Sequence, residues 1–189
     1  MRIHFLTTNR GKLREARARL EPLGYDVRSH PARPVEIQAD SLDDVARQKA
    51  LSAMDRAPTP YFVEDAGLFI DALRGFPGVY SRPAFDTIGI QGVLKLLRGV
   101  PAQGRTARFR AVIGYVDARE RFHAFRGEAR GRITMRARGR HGFGFDPIFQ
   151  PDGSDQTFAQ LAASEKGNVS HRGRALDALA KHLAAKGRV

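Results

Sequence analysis

Apolar and polar positions along the chain change period from place to place, and those changes predict its elements. Residues 2–7 form a short apolar-rich run that reads as a strand. Leu13, Ala16, Leu20 and Leu23 then recur at helical spacing, so a helix is expected from Asn9, its cap, to about Leu23, with Gly24 ending it. Residues 25–29 read as a second strand, and a proline-containing link over 31–40 carries Glu36. Ser41-Leu42-Asp43-Asp44 has the form of a capping box and opens a helix to about Arg56, with Leu42, Val45, Lys49 and Ala53 close to one stripe.

The centre of the chain is residues 61–82. Tyr61-Phe62-Val63 predicts a buried strand that ends at the paired acids Glu64 and Asp65; Ala66-Gly67 then turns the chain into a second apolar segment, 68–73, and Gly75-Phe76-Pro77-Gly78 forms a tight turn. Acids at a buried strand end suit metal binding or general-base work, although an ordinary polar strand end looks the same. Val93, Leu94, Leu96 and Leu97 predict a helix over 88–100, and residues 105–117 and 121–135 an antiparallel strand pair. HGFGFDPIFQPDG, residues 141–153, is too irregular for an element interior and too apolar for an ordinary loop. A short helix is expected over 157–163, a turn over 164–168 and a last helix over 169–186, with Ala175, Leu176, Leu179 and Leu183 apolar. Ser170-His171-Arg172 falls in its first turn, where backbone N–H groups favour an anion or a carbonyl.

Strands interleaved with helices predict an α/β protein, and the 189 residues are expected to form one domain with no internal linker. No apolar run approaches the roughly 20 residues of a membrane span. The absence of cysteine excludes disulfides and thiolate metal sites, so any metal must be held by oxygen or imidazole; with no signal-like N-terminus, a cytoplasmic protein is expected. A formal charge of +12 points to an anionic partner. Residues 98–140 hold 12 arginines, no lysine and three acids, and the arginines often fall at every second position, which predicts one basic face of a sheet.

Five stretches carry candidate chemistry: TTNRGK, Glu36, the Glu64-Asp65 pair, FGFDPIF and KGNVSHR. In this order they resemble the Ham1-like inosine triphosphate pyrophosphatase family, most specifically through EDAGLFIDALRGFPGVYS, FGFDPIFQPDG and EKGNVSHR. The resemblance implies an elongated mixed central sheet flanked by helices, two lobes with a substrate cleft between them (an ITPase/Maf-like fold), and a homodimer. It implies Mg²⁺-dependent hydrolysis, with Mn²⁺ as a substitute, of the non-canonical purine nucleotides ITP, dITP and XTP to the monophosphate and pyrophosphate. By the same resemblance Thr8, Asn9 and Lys12 bind phosphate, Lys49 in the second helix is a further substrate-binding residue that offsets phosphate charge, and Glu36, Glu64 and Asp65 hold the metal, with Asp65 as catalytic base. Phe143, Gly144, Phe145 and Asp146 form a base pocket, and Lys166, His171 and Arg172 read the base. Ala66 is a further substrate-binding position by this resemblance, but the family usually has Ser or Thr there, whose hydroxyl could hold a phosphate or a metal-bound water.

These residue types fit that chemistry. Mg²⁺ takes one or two carboxylates together with phosphates and waters. An adjacent carboxylate can orient or deprotonate a water attacking phosphorus. An aromatic ring stacks on any purine, so base choice needs polar donors that meet the 6-carbonyl of hypoxanthine or xanthine and would be left unpaired by adenine. Guanine shares that carbonyl, so a further donor facing position 2 is expected. A second reading, nucleic-acid binding by the arginine-rich hairpin, predicts steeply salt-dependent binding and no need for the acids; a third keeps the fold but takes other nucleotides.

Overall fold

The structure, a computed structural model, describes residues 1–186. Its elements in chain order are β1 (Arg2–Phe5), α1 (Arg10–Leu20), β2 (Asp26–Ser29), α2 (Leu42–Leu51), β3 (Tyr61–Ile70), β4 (Pro77–Gly78), α3 (Ser81–Thr87), α4 (Gly89–Leu96), β5 (Thr106–Val116), β6 (Phe122–Ile133), β7 (Phe149–Pro151), α5 (Ala163–Val169) and α6 (His171–Lys186). The strands make one mixed sheet in the order β2-β1-β3-β5-β6-β7, with β4 on β3. β1 is parallel to β2 and β3, whereas β4 on β3 and β7 on β6 are antiparallel. This is the mixed α/β sheet with flanking helices expected from the sequence. No described helix is long and apolar enough to cross a membrane.

The chain divides into two compact units, each assembled from separated stretches. The first comprises residues 1–65, 111–127 and the stretch from His171; the second comprises 66–110 and 128–170.

In the first unit Leu6, Ala50, Ala53, Tyr61, Val63 and Val116 form a buried cluster, and Phe5 stacks on Phe62 at 4.2 Å. The Tyr61 hydroxyl donates to the Ala50 carbonyl at 2.8 Å, so its burial leaves no polar group unmet. α6 buries Ala175, Leu176, Leu179 and Leu183 at helical spacing. It is tied to α1 by Arg19, whose Nη2 donates to Asp177 Oδ2 at 2.6 Å. Asp117 closes the turn between β5 and β6, its Oδ1 accepting from the N–H groups of Arg119 and Arg121 at 2.9 and 3.1 Å.

In the second unit Leu68, Ile70, Phe109, Ile133, Phe149 and Phe158 pack with Val93 and Leu97 of α4 and its end. Leu96, expected on that apolar side, is exposed. Arg108, Arg110, Arg130 and Arg132 alternate with buried Ala107, Phe109, Ala129 and Ile133, so the arginines do share a face. Acids are set among them: Asp71 pairs with Arg108 at 2.8 Å, and Glu128 with Arg110 and Arg130 at 2.9 and 3.0 Å. Arg105 departs from the pattern. It is buried, donating to the carbonyls of Leu97, Val100 and Thr134, and so closes the end of α4.

Four local expectations are corrected. Ala66-Gly67 is not a turn: β3 runs unbroken for 10 residues through the acid pair. Gly67 serves close approach instead, since a Cβ there would run into the Gly78 carbonyl as β4 pairs with Leu68 and Phe69. The short helix is not at 157–163 but at α5, in the stretch expected to turn. Thr157 is held locally, its N–H by Gln160 Oε1 and its hydroxyl on the Arg138 carbonyl, while Glu165 Oε2 accepts from the Ala162 N–H and starts α5. Ser170 is extended, so α6 begins at His171 rather than Val169. Finally, α3 follows the 75–78 turn where no helix was expected.

Candidate functional site

In the first unit, β1 delivers the chain into α1 through a turn built on side chains. Thr7 Oγ1 accepts from the Asn9 N–H at 3.1 Å, and Asn9 Oδ1 accepts from the Lys12 N–H at 3.0 Å, the N-cap expected of asparagine. Thr8 is exposed on this turn. The cap fixes the first turn of α1 and thereby aims Lys12, whose Nζ lies 2.7 Å from Glu64 Oε2 and donates to the Glu64 carbonyl at 3.2 Å.

Glu64 and Asp65 are successive residues of one strand and so face opposite ways. Glu64 is sealed, with its side chain 1% exposed. Its other oxygen, Oε1, accepts from Arg172 Nε at 3.1 Å, and Arg172 Nη1 donates to Glu15 Oε2 at 2.6 Å. Burial alone would raise the carboxyl of Glu64, but Arg172 and Lys12 outweigh it, and it is held down at about 2. Burial likewise opposes the charge on Arg172, which Glu64 and Glu15 restore and strengthen. His171, the first residue of α6, is buried and adds to the positive field at Glu64. Gly127 lets this helix start come close, because a Cβ there would meet the His171 carbonyl.

Asp65 faces a second cation. Lys49, on the buried stripe of α2, donates to Asp65 Oδ1 at 3.0 Å and lies 3.0 Å from Glu36 Oε1. Asp65 is partly open, its side chain 17% exposed, and Glu36 is mostly exposed at 76%. Burial raises the carboxyl of Asp65, opposed by Lys49 and Lys12 and reinforced by the neighbouring charge of Glu64. Burial would lower the ammonium of Lys49, but Asp65 and Glu36 raise it. The three acids expected as metal ligands are thus divided. Glu36 and Asp65 meet at Lys49, whereas Glu64 is taken up by Lys12 and Arg172. Among the described residues no three His, Cys, Asp or Glu side chains converge on one point. A pair of carboxylates is nonetheless the donor set Mg²⁺ uses when phosphates and waters complete its shell, so Glu36 and Asp65 fit that ion.

In the second unit, Asp146 Oδ2 accepts from the Phe143 N–H at 2.8 Å and from Lys166 Nζ at 2.7 Å. Both charged groups are buried, and Lys166 Nζ sits 5.0 Å from the centre of the Phe143 ring. The turn that permits this has Gly142 at φ 75°, where a Cβ would run into the Asp146 carboxylate, and Gly144 at φ 61° with open space beside it. Phe143 is half-buried, whereas Phe145 belongs to the core, edge-on to Phe85 at 5.3 Å. Ala66, the next residue of β3, is half-buried.

Two contributors escaped the sequence reading. Thr7 supports the Asn9 turn, and nothing in its spacing marks it. Glu15 holds Arg172, and its place three residues after Lys12 on a helix was a usable signal, since that spacing puts both on one face.

The Ham1 family model matches residues 3–182. A dITP/XTP pyrophosphatase of Thermococcus kodakarensis is 49% identical over 183 residues, 97% of this chain and 97% of that protein. One from Methanopyrus kandleri is 46% identical, over 96% of this chain and 95% of its own length. The solved structure of a Ham1 protein from Coxiella burnetii superposes with a TM-score of 0.85 at 30% identity, covering 98% of this chain and 99% of that one. The Ham1 protein of Staphylococcus aureus superposes with a TM-score of 0.83 at 29% identity, over 98% of this chain and 100% of that one. Matched along nearly its whole length in sequence and in fold, the chain belongs to the Ham1 family.

Proposed function

We propose that the chain hydrolyses the non-canonical purine nucleotides ITP, dITP and XTP to the monophosphate and pyrophosphate; its relatives in Thermococcus kodakarensis and Methanopyrus kandleri are dITP/XTP pyrophosphatases. The observation that carries this reading is the division of labour between Glu64 and Asp65. One acid is sealed among cations as a fixed negative post, and its neighbour is open beside Lys49 and Glu36. A structural ion pair does not need the second arrangement; a reaction that positions water beside phosphates does.

The capped start of α1, with Thr8, Asn9 and Lys12, receives phosphate oxygens through backbone N–H groups and an ammonium. Asp65 orients a water and takes its proton. The water oxygen bonds to phosphorus, the P–O bond bridging the α- and β-phosphates breaks, and pyrophosphate leaves with its charge met by Lys12 and Lys49. Glu36 and Asp65 would hold Mg²⁺, or Mn²⁺ in its place, and that ion when bound supplies Lewis-acid neutralisation of the phosphates. Glu64 is assigned to fixing Lys12 and Arg172 rather than to the ion.

Phe143 stacks on the purine, and Lys166, held by Asp146, donates to it. His171 and Arg172 are the further base-reading donors, with Arg172 itself positioned by Glu15 and Glu64. Open space at Gly144 admits a ligand to the backbone, and Ala66 leaves out a hydroxyl contact. A homodimer acting in the cytoplasm completes the reading, with exposed Phe76, Tyr80, Ile88 and Leu96 in the second unit available for burial.

The test is pyrophosphate release from ITP, XTP, dITP, GTP and ATP with Mg²⁺ and with EDTA. Metal-dependent release from the first three, at least 100-fold above the last two by an order-of-magnitude expectation, is the outcome expected. Equal release from ATP, or none from any, defeats the assignment. Nucleic-acid binding by the arginine face is the less favoured reading, because Asp71 and Glu128 neutralise part of that face.

A further inference from the structure

We propose that Lys49 is a resident counter-cation for the divalent ion. Its ammonium holds the place between Glu36 and Asp65, competes with the metal for both carboxylates, and moves off them when the metal binds. The proposal rests on the reading of Glu36 and Asp65 as the metal-binding pair.

The geometry separates what is fixed from what can move. Asp65 is set by the backbone of β3. Glu36 follows Val35, whose N–H donates to Ser52 Oγ at 2.9 Å, and Ser52 Oγ in turn donates to the Lys49 carbonyl at 3.1 Å. The link carrying Glu36 is therefore anchored to the backbone at the end of α2, so the backbone that presents Glu36 does not depend on the Lys49 side chain. Lys49 reaches both acids along a flexible four-carbon stem. Each carboxylate lies 3.0 Å from Nζ, which brings the two acid oxygens within 6.0 Å of each other, as two carboxylates that share a cation must be. One ammonium leaves this trio with a net charge of −1, and a divalent ion in its place leaves the two acids neutralised. The displaced ammonium is then available to a phosphate oxygen, so a single exchange would couple metal arrival to nucleotide binding.

The probe is Mn²⁺ binding to the nucleotide-free protein, read by electron paramagnetic resonance and calorimetry. Lys49→Met removes the competitor and is expected to tighten Mn²⁺ binding about tenfold. Unchanged or weaker Mn²⁺ binding by a folded Lys49→Met protein overturns the proposal. Glu36→Gln tests the underlying reading by itself. If it binds Mn²⁺ as wild type does, the metal pair is misassigned; if it loses Mn²⁺ while Lys49→Met equals wild type, the competition alone is wrong. Should Lys49→Met fail to fold, the Lys49 Cε resonance of the wild-type protein decides. It is expected to move toward the value of a solvated lysine as Mg²⁺ is added, and a resonance unmoved at saturating Mg²⁺ overturns the proposal.

Discussion

Arg172 Nε lies 3.1 Å from Glu64 Oε1, and the two side chains are 4% and 1% exposed. With Lys12 on the other oxygen and Glu15 on Nη1, this is a buried network of two acids and two bases. Its net charge is balanced, so its members stabilise the fold only as a set: removing one leaves a buried charge unmatched. Arg172→Met is expected to cost about 3 to 5 kcal/mol in urea denaturation. The double variant Glu64→Gln/Arg172→Met should recover a substantial part of that loss, because neither charge then remains. Additive losses in the double variant would show that the pair is not coupled.

Asp65 carries no comparable structural burden. It is partly open, and its partner Lys49 retains Glu36. Asp65→Asn keeps the shape and a hydrogen-bond acceptor, so the unfolding midpoint should stay within a few degrees of wild type. Hydrolysis of ITP should fall by about 10²- to 10⁴-fold, the usual weight of a general base. Activity within threefold of wild type would move the base elsewhere, and a large fall in melting temperature would make Asp65 structural first.

Much of this was legible in the sequence, for reasons that differ from residue to residue. Asn9 as a cap and Lys49 on the buried stripe of α2 follow from local rules, cap chemistry and helical period, and the structure has both. The acid pair was legible as residues but not as geometry. Gly67 looks like a turn signal on sequence alone, and only its approach to Gly78, 11 residues on, shows that the strand continues. The partition of Glu36, Glu64 and Asp65 was hidden for the same reason, since it depends on where Lys12, Lys49 and Arg172 arrive from distant stretches. The two compact units leave no composition boundary because each is made of interleaved segments.

Acid should attack the Glu64 network first. Its carboxyl is held at about 2 in the folded chain against an ordinary 4.5, so below pH 4.5 the unfolded chain takes up a proton that the folded one does not. Stability is therefore fully present above that value and lost as the pH falls toward 2, on the order of 3 kcal/mol in all. The raised carboxyl of Asp65 acts with the opposite sign and offsets part of the loss. Urea midpoints at pH 7, 5, 4 and 3 should decline most steeply over the last interval. A flat profile down to pH 3 would mean that Glu64 is not held by its cations.

Asp146 and Lys166 make a second buried pair, at 2.7 Å with side chains 4% and 7% exposed. Lys166→Met should destabilise by about 3 kcal/mol or more because the buried Asp146 carboxylate loses its counter-charge. Asp146→Asn should cost less, since the amide oxygen can still accept from both the Phe143 N–H and the Lys166 ammonium. Circular-dichroism melts of the two variants rank them. The reverse order would imply that the turn, rather than the charge, is what Asp146 secures.

Two glycines separate conformational strain from collision. Gly24 sits at φ 87° with nothing within reach of a Cβ, so Gly24→Ala incurs only left-handed strain, about 1 to 2 kcal/mol. Gly67 has no such dihedral, yet a Cβ there would meet both the carbonyl oxygen and carbon of Gly78. Gly78 cannot easily retreat. Its carbonyl accepts from Ser81 Oγ at 2.7 Å, and that hydroxyl accepts from the Leu68 N–H at 2.7 Å, clamping β4 against β3. Gly67→Ala must therefore break the clamp or bend β3 next to Ala66 and Asp65, and an expected loss of about 2 to 4 kcal/mol follows. Because the bend falls two residues from Asp65, ITP turnover at a temperature where the variant is folded should drop as well, whereas Gly24→Ala should leave turnover unchanged. Equal stability losses for the two variants, with turnover intact in both, would mean that β4 yields freely and that the clamp does not position the acid pair.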